Sequence, residues 1–419
     1  MTFAGGDEVR KTADAVARRS YGKLVAFLAA HTRDVAAAED ALAEAFASAL
    51  VDWPANGCPK NPEGWLLTVA RRKLIDSVRR RQTGEAASTQ LQILAEGLED
   101  AAAQAERDMQ IPDKRLALLF ACAHPAIEVG IRAPLMLQVV LGLDGETIAS
   151  AFLVSPAAMR KRLSRAKEKI QQAGIPFSIP EREELPHRLD TVLDAIYASF
   201  AEGWTDASGT DAIRRDLTDE AIFLARLVVE LLPQEAEAFG LLALMLHAEA
   251  RRPARRNAVG EYMPLAEQDS TLWNSQMIDE AERLLRHAIT FEAIGRYQLE
   301  AALQSAHAHR RRTGCNNWAE VVQLYDALSA ITDSPVVAIN RALAIAELHG
   351  AQAAAEALKD IAADDRLSEY QPYWAARAEL LSKTGAYDEA RQAYEMAIGL
   401  ERDPTVRAFL QKRQMLLRT

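Results

Sequence analysis

The chain has 419 residues, 49% of them hydrophobic, and a net charge of -10. That is enough apolar material for two or three packed domains. No apolar run approaches the roughly 20 residues that span a bilayer, and the start, MTFAGGDEVRKTADAV, has no signal core, so the expectation is a cytoplasmic protein with no membrane contact.

Cys58, Cys122 and Cys315 are far apart and lack partners at ligand spacing. The closest histidines, His307 and His309, point to different sides of a helix, so no metal site, disulfide framework or cofactor is expected. The charge is uneven. Residues 1–170 hold 23 Lys/Arg against 21 Asp/Glu, a net of +2, which leaves -12 for residues 171–419. Whole-chain charge therefore hides two basic segments near the N-terminal end.

Ala, Leu, Glu, Arg and Gln dominate, and apolar residues recur at three and four, which predicts an all-α fold. Residues 1–81 read as a compact helical unit, broken near 32–34 and by the Pro, Gly and Asn-rich stretch WPANGCPKNPEG (53–64). Its last helix, GWLLTVARRKLIDSVRRRQ, sets Trp65, Leu66, Val69, Leu74, Ile75 and Val78 on one face. Arg71, Arg72, Lys73, Arg79, Arg80 and Arg81 supply cations at a density that suits a phosphate backbone. A solvated amphipathic helix with a basic last turn fits the same pattern.

Residues 82–112 carry one Arg against six acids and read as a linker. Residues 113–170 form a second helical unit ending in GETIASAFLVSPAAMRKRLSRAKEKI. A short helix, a three-residue turn at 153–155 and a longer helix opened by Ser155 and Pro156 give the proportions of a helix-turn-helix. Ile148, Ala149, Phe152, Val154, Met159 and Leu163 hold the pair together. Arg160, Lys161, Arg162, Ser164, Arg165, Lys167 and Lys169 are left outward, with Glu168 the single acid against six cations. That balance favours DNA over a purely structural hairpin.

Three prolines in AGIPFSIPEREELP mark a connector over 171–186. From 187 to 419 helices continue. In the last clear unit Trp374, Gly385, Tyr387, Ala390, Tyr394, Ala397 and Leu400 fall at the spacings of a tetratricopeptide repeat. Gly350 and Ala355 stand one period earlier, in the places of Gly385 and Ala390.

Two basic helical units joined by an acidic linker resemble the minimal RNA polymerase sigma factors. VAAAEDALAEAFASAL (35–50) is similar to the polymerase-binding helix of sigma region 2. NPEGWLLTVARRKLIDSVRRR (61–81) is similar to that region's P-x-x-W-L, A-R-N and D-x-x-R-R segment, with Arg72 where Asn is usual and Ala43 where Gln is usual. Residues 113–170 resemble region 4. AGIPFSIPEREELPHRLDTVLDAIYASFAEGW, LLALMLHAEARRPAR and SPVVAINRALAIAELHG resemble the extension of extracytoplasmic-function sigma factors that carry a C-terminal tetratricopeptide-like domain.

The resemblance implies two partners, core RNA polymerase and promoter DNA. Glu39, Asp40, Glu44 and Phe46 would dock polymerase. Lys60, Asn61, Trp65, Arg71, Arg72, Arg79 and Arg80 would meet the promoter near the start site. Arg160, Lys161, Ser164, Arg165 and Lys167 would read its distal element. Trp65 reads either as a stacking platform or as core, and the acidic linker either as an occupant of a basic polymerase channel or as a solvated spacer.

For the extension the expectation is control, through a protein or peptide partner or an intramolecular contact with the basic units; a stabilising scaffold is the alternative. A conventional helix-turn-helix regulator with a tetratricopeptide-type protein-binding domain would account for residues 113–419 but not for the N-terminal unit. No Walker loop, GxSxG or convergent His, Cys or acid set is present, so no enzymatic activity is expected.

Overall fold

The computed structural model describes residues 20–81, 113–152, 154–204, 212–359, 361, 364 and 367–417. Among them there are helices, turns and no strand; the one bridge pairs Arg256 with Tyr262. The all-α expectation holds. No described helix is long and apolar enough to cross a membrane. The chain divides into two compact units, Met1–Gly203 with Asp216–Ala221, and Trp204–Arg215 with Ile222–Thr419.

In the first unit α1 (20–32) ends at Arg33, whose φ of 55° is left-handed. Asp34 then opens α2 (Val35–Asn56) by accepting the Ala37 backbone N–H at 2.9 Å. An acceptor at this place satisfies a donor that the first turn leaves unpaired. Small residues line the buried face of α2, Ala38, Ala41, Ala45 and Ala49 beside Leu42 and Trp53. They let α3 (Pro62–Arg81) approach closely. Asn61 caps α3 in turn, accepting from Gly64 N at 2.9 Å.

Next come α4 (Arg115–Cys122), whose residues after Arg115 are all buried, and α5 (Val129–Leu141), which ends at Gly142 with φ of 75°. A short α6 (Gly145–Ala151) and a longer α7 (Pro156–Gln172) follow. The connector leads into α8 (Leu185–Trp204), where Arg188 donates to the Phe120 carbonyl at 2.9 Å and so ties α8 to α4.

These helices form one unit because α1 meets α5 almost backbone to backbone. A Cβ on Gly22 would stand 1.9 Å from the Val140 carbonyl oxygen, and one on Gly142 would stand 2.8 Å from the Tyr21 ring. Only hydrogen at position 22 permits that approach.

The second unit holds most of α9 (Ala212–Leu231), then α10 (Ala236–Ala250), α11 (Ser275–Ile289) and α12 (Arg296–Thr313). In α10 every residue but Glu237 and Glu249 is buried, because α11 and α12 both pack on it. The Glu237 carboxylate accepts from Tyr297 N at 2.8 Å and Gln298 N at 3.1 Å, an anion placed on the positive end of α12.

Helices α13 (Trp318–Ile331), α14 (Pro335–His349), α15 (Ala351–Lys359), α16 (Gln371–Lys383), α17 (Tyr387–Leu400) and α18 (Pro404–Met415) then pack each on the next. Gly350 and Gly385, both with positive φ, turn the chain between neighbours. The spacing match is offset by one residue: α15 starts directly after Gly350, so Ala354, not Ala355, is fully buried, whereas α17 starts two residues after Gly385 and buries Ala390.

Candidate nucleic-acid interface

The outward face of α2 carries Asp40, Ala43, Glu44, Ala47, Leu50 and Val51, all exposed, and Phe46 stands half-buried beside them. Spacings of three and four place them on one stripe. Leu50 and Val51 are 48% and 77% exposed, so the stripe is apolar at one end and acidic at the other. Sequence reasoning reaches only its acids and Phe46. Spacing alone does not separate Leu50 and Val51 from the apolar residues that pack on α3; their exposure does. Glu44 pairs with Lys73 of α3 at 3.2 Å.

Glu39 lies differently. Its side chain is 12% exposed and its Oε2 is 2.5 Å from the Nζ of Lys167, itself 14% exposed, on α7. Burial raises the Glu39 pKa against the pull of Lys167, and the Tyr21 hydroxyl, hydrogen-bonded to Glu39, is raised too, by burial first and by that carboxylate second. Beside this pair Gln171 of α7 donates to Asp34, the cap of α2, at 2.9 Å.

Expected outward with the other α7 cations, Lys167 instead faces α2. The correction has a plain cause. The helix has two packed sides, one holding Met159, Leu163, Ala166 and Ile170 in the core and a second lying on α2.

The remaining α7 positions stand where the pattern put them. Arg160, Lys161, Ser164 and Arg165 are exposed, and the three cations have no ion-pair partner among the described residues. Arg162 pairs with Glu128 at 3.5 Å. Ahead of α7, Asp144 caps α6, accepting from Glu146 N and Thr147 N at 2.9 Å and from the Thr147 hydroxyl, and the Thr147 bonds hold its carboxyl below the usual range. Ser155 accepts from Ala158 N, with Pro156 at the first helical position. A rigid entry fixes where the exposed first turns of α7 point.

At α3 and the turn before it, Lys60 and Arg72 are exposed, while the Asn61 side chain is engaged in the cap. Trp65 is half-buried, with its ring edge-on to the buried Trp53 at 5.5 Å, so its position is set by core packing. Arg71 is partly buried. Arg79 and Arg80 lie on the helical backbone of α3, and their side chains are outside the described residues, as is the acidic stretch 82–112.

Residues 16–83, which take in α1 to α3, match the family Sigma-70 region 2. Over 186 residues the chain is 32% identical to the probable RNA polymerase sigma factor RfaY of Xanthomonas campestris, covering 42% of each. Helices α1 to α3 are thus a sigma-70 region 2 module, and that match supports a sigma-factor family.

An uncharacterized protein of Rhizobium meliloti is 39% identical to this chain over 381 residues, 90% of this chain and 89% of that protein, so the two share one family along nearly their whole length. Residues 188–289 match a family of unknown function, DUF6596. No solved structure matches the chain.

Proposed function

We propose that this protein is a sigma factor of the extracytoplasmic-function type, which binds core RNA polymerase and directs it to promoter DNA, with its C-terminal helical array as a tetratricopeptide-like regulatory domain. The observation that carries the reading is the coincidence of the sigma-70 region 2 match with α1 to α3 and their acidic and apolar stripe on α2. Such a stripe suits a basic partner surface bearing apolar side chains.

In this reading Lys60, Arg72 and the basic end of α3 meet the promoter near the start site. Helices α6 and α7 act as a helix-turn-helix, with Arg160, Lys161, Ser164 and Arg165 toward the distal element. The Lys167 to Glu39 pair holds α7 on α2 in the free protein, and docking of polymerase displaces it.

The test is co-elution of the full chain with core polymerase, followed by transcription from a randomised promoter library. Start-site-specific transcripts should arise only when both are present. A chain that neither co-elutes nor supports initiation overturns the reading; sequence-specific DNA binding without co-elution returns the protein to the conventional regulators.

A further inference from the structure

Within the second unit, α11, α12 and the start of α13 enclose a half-open groove of about 870 Å³. Leu285, Ile289, Ile294, Leu299 and Leu324 give it an apolar surface. Ile289 and Ile294 are 68% and 76% exposed, and apolar side chains left in water beside a concavity mark a surface that a partner can cover.

The charged and titratable groups of the groove are Glu282 in its wall and basic side chains toward its two ends. Arg286 stands beside Ile289 near the end of α11, and His309 and Arg312 lie in the last turns of α12. Arg286 and Arg312 are exposed and have no ion-pair partner among the described residues. The one acid in the lining, Glu282, does not neutralise them. It accepts the Ser305 hydroxyl at 2.5 Å and has the buried His247 Nε2 behind it at 3.5 Å.

Length narrows the occupant. Gln298 and Arg312 both line the groove, and at 1.5 Å of rise per residue they are about 21 Å apart along α12. An extended chain covers that span in about six residues. A small ligand would leave one cationic end unmet, and a nucleic-acid strand would find cations at the ends only, over an apolar floor.

We propose that this groove binds an extended peptide segment of a partner protein, about six residues long, with alternating apolar and acidic side chains: the apolar ones on Ile289, Ile294, Leu299 and Leu324, the carboxylates at Arg286 and Arg312. The proposal rests on the reading of the extension as a regulatory surface and names the chemistry of its partner.

The test is fluorescence anisotropy of the full chain with a labelled octapeptide of alternating Leu and Asp, beside versions with Lys for Asp and Ser for Leu. The Leu and Asp peptide should bind at least tenfold more tightly than either. The double variant R286E/R312E should lose that preference and favour the Lys peptide, and Ile294→Ser should weaken binding at least fivefold. All three positions are exposed, and circular dichroism confirms that the variants fold.

Three peptides that bind alike, no binding at all, or variants that bind as the parent does would overturn the proposal. Initiation with core polymerase, measured on the same preparations, separates the two readings. Intact initiation without peptide binding removes the groove alone, whereas a parent chain that fails to initiate removes the sigma reading.

Discussion

Glu39 of α2 and Lys167 of α7 form a largely buried ion pair with 2.5 Å between Oε2 and Nζ, joining residues 128 positions apart in the chain. The region that matches sigma-70 region 2 and the helix carrying the exposed Arg160 and Arg165 are thereby held in one compact unit. A charge this covered is costly to leave alone, so the pair fixes how the two parts dock more than it adds net stability.

Replacing Lys167 by Met leaves Glu39 without its cation and weakens the packing of α7 on α2 by about 2 kcal/mol. We expect core polymerase to bind Lys167→Met several-fold more tightly than the parent in an equilibrium titration, with promoter binding by Arg160 and Arg165 retained. Unchanged or weaker core binding would show that the pair does not mask the docking surface.

Gly22 controls the neighbouring approach of α1 to α5. A methyl group there meets the Val140 carbonyl oxygen at 1.9 Å, and backbone cannot yield as a flexible side chain would. Gly22→Ala should destabilise the first unit by about 1–3 kcal/mol, the range of overpacked cores. Denaturant melts read at Trp53 and Trp65 would register it, and a midpoint equal to the parent's contradicts the close approach.

Arg160 and Arg165 are the test of DNA reading. Changing both to Glu should abolish promoter-specific binding while leaving co-elution with core polymerase intact. Changing both to Gln should lower the slope of log affinity against log salt by about two, since each phosphate that a cation neutralises adds about 0.9 to it. An unaltered slope would place the DNA elsewhere.

His247 makes the second unit sensitive to acid. Burial, with Arg251 nearby, lowers its pKa from 6.5 to about 4, and Glu282 faces its Nε2 at 3.5 Å. Between these values the unfolded chain binds the proton and the folded chain does not. Stability from this residue is therefore complete above about pH 6.5 and falls as the pH drops toward 4, by up to about 3 kcal/mol. Compared with the parent, His247→Asn should show a flatter decline of melting temperature across that window, and parallel profiles would count against the assignment.

Much of this molecule is legible along the chain. Apolar spacing gives the helices, and Ser155 before Pro156 gives the cap of α7. Composition gives the cation sets on α3 and α7, because each depends on residues within a few turns of one another. The acids of the α2 stripe are visible for the same reason, while Leu50 and Val51 are not, since spacing cannot say which of two apolar faces remains in water.

What the tertiary structure decided are the relations that cross the chain. A helical wheel gives α7 one buried face and leaves every cation outward; only the packed unit turns Lys167 toward Glu39, and only the facing Val140 carbonyl explains why residue 22 has no side chain. The groove beside Ile289 and Arg312 likewise exists only when α11, α12 and α13 are brought together. Local patterns are set by neighbours one or two turns away, whereas burial of a charge or opening of a groove depends on what a distant segment places against it.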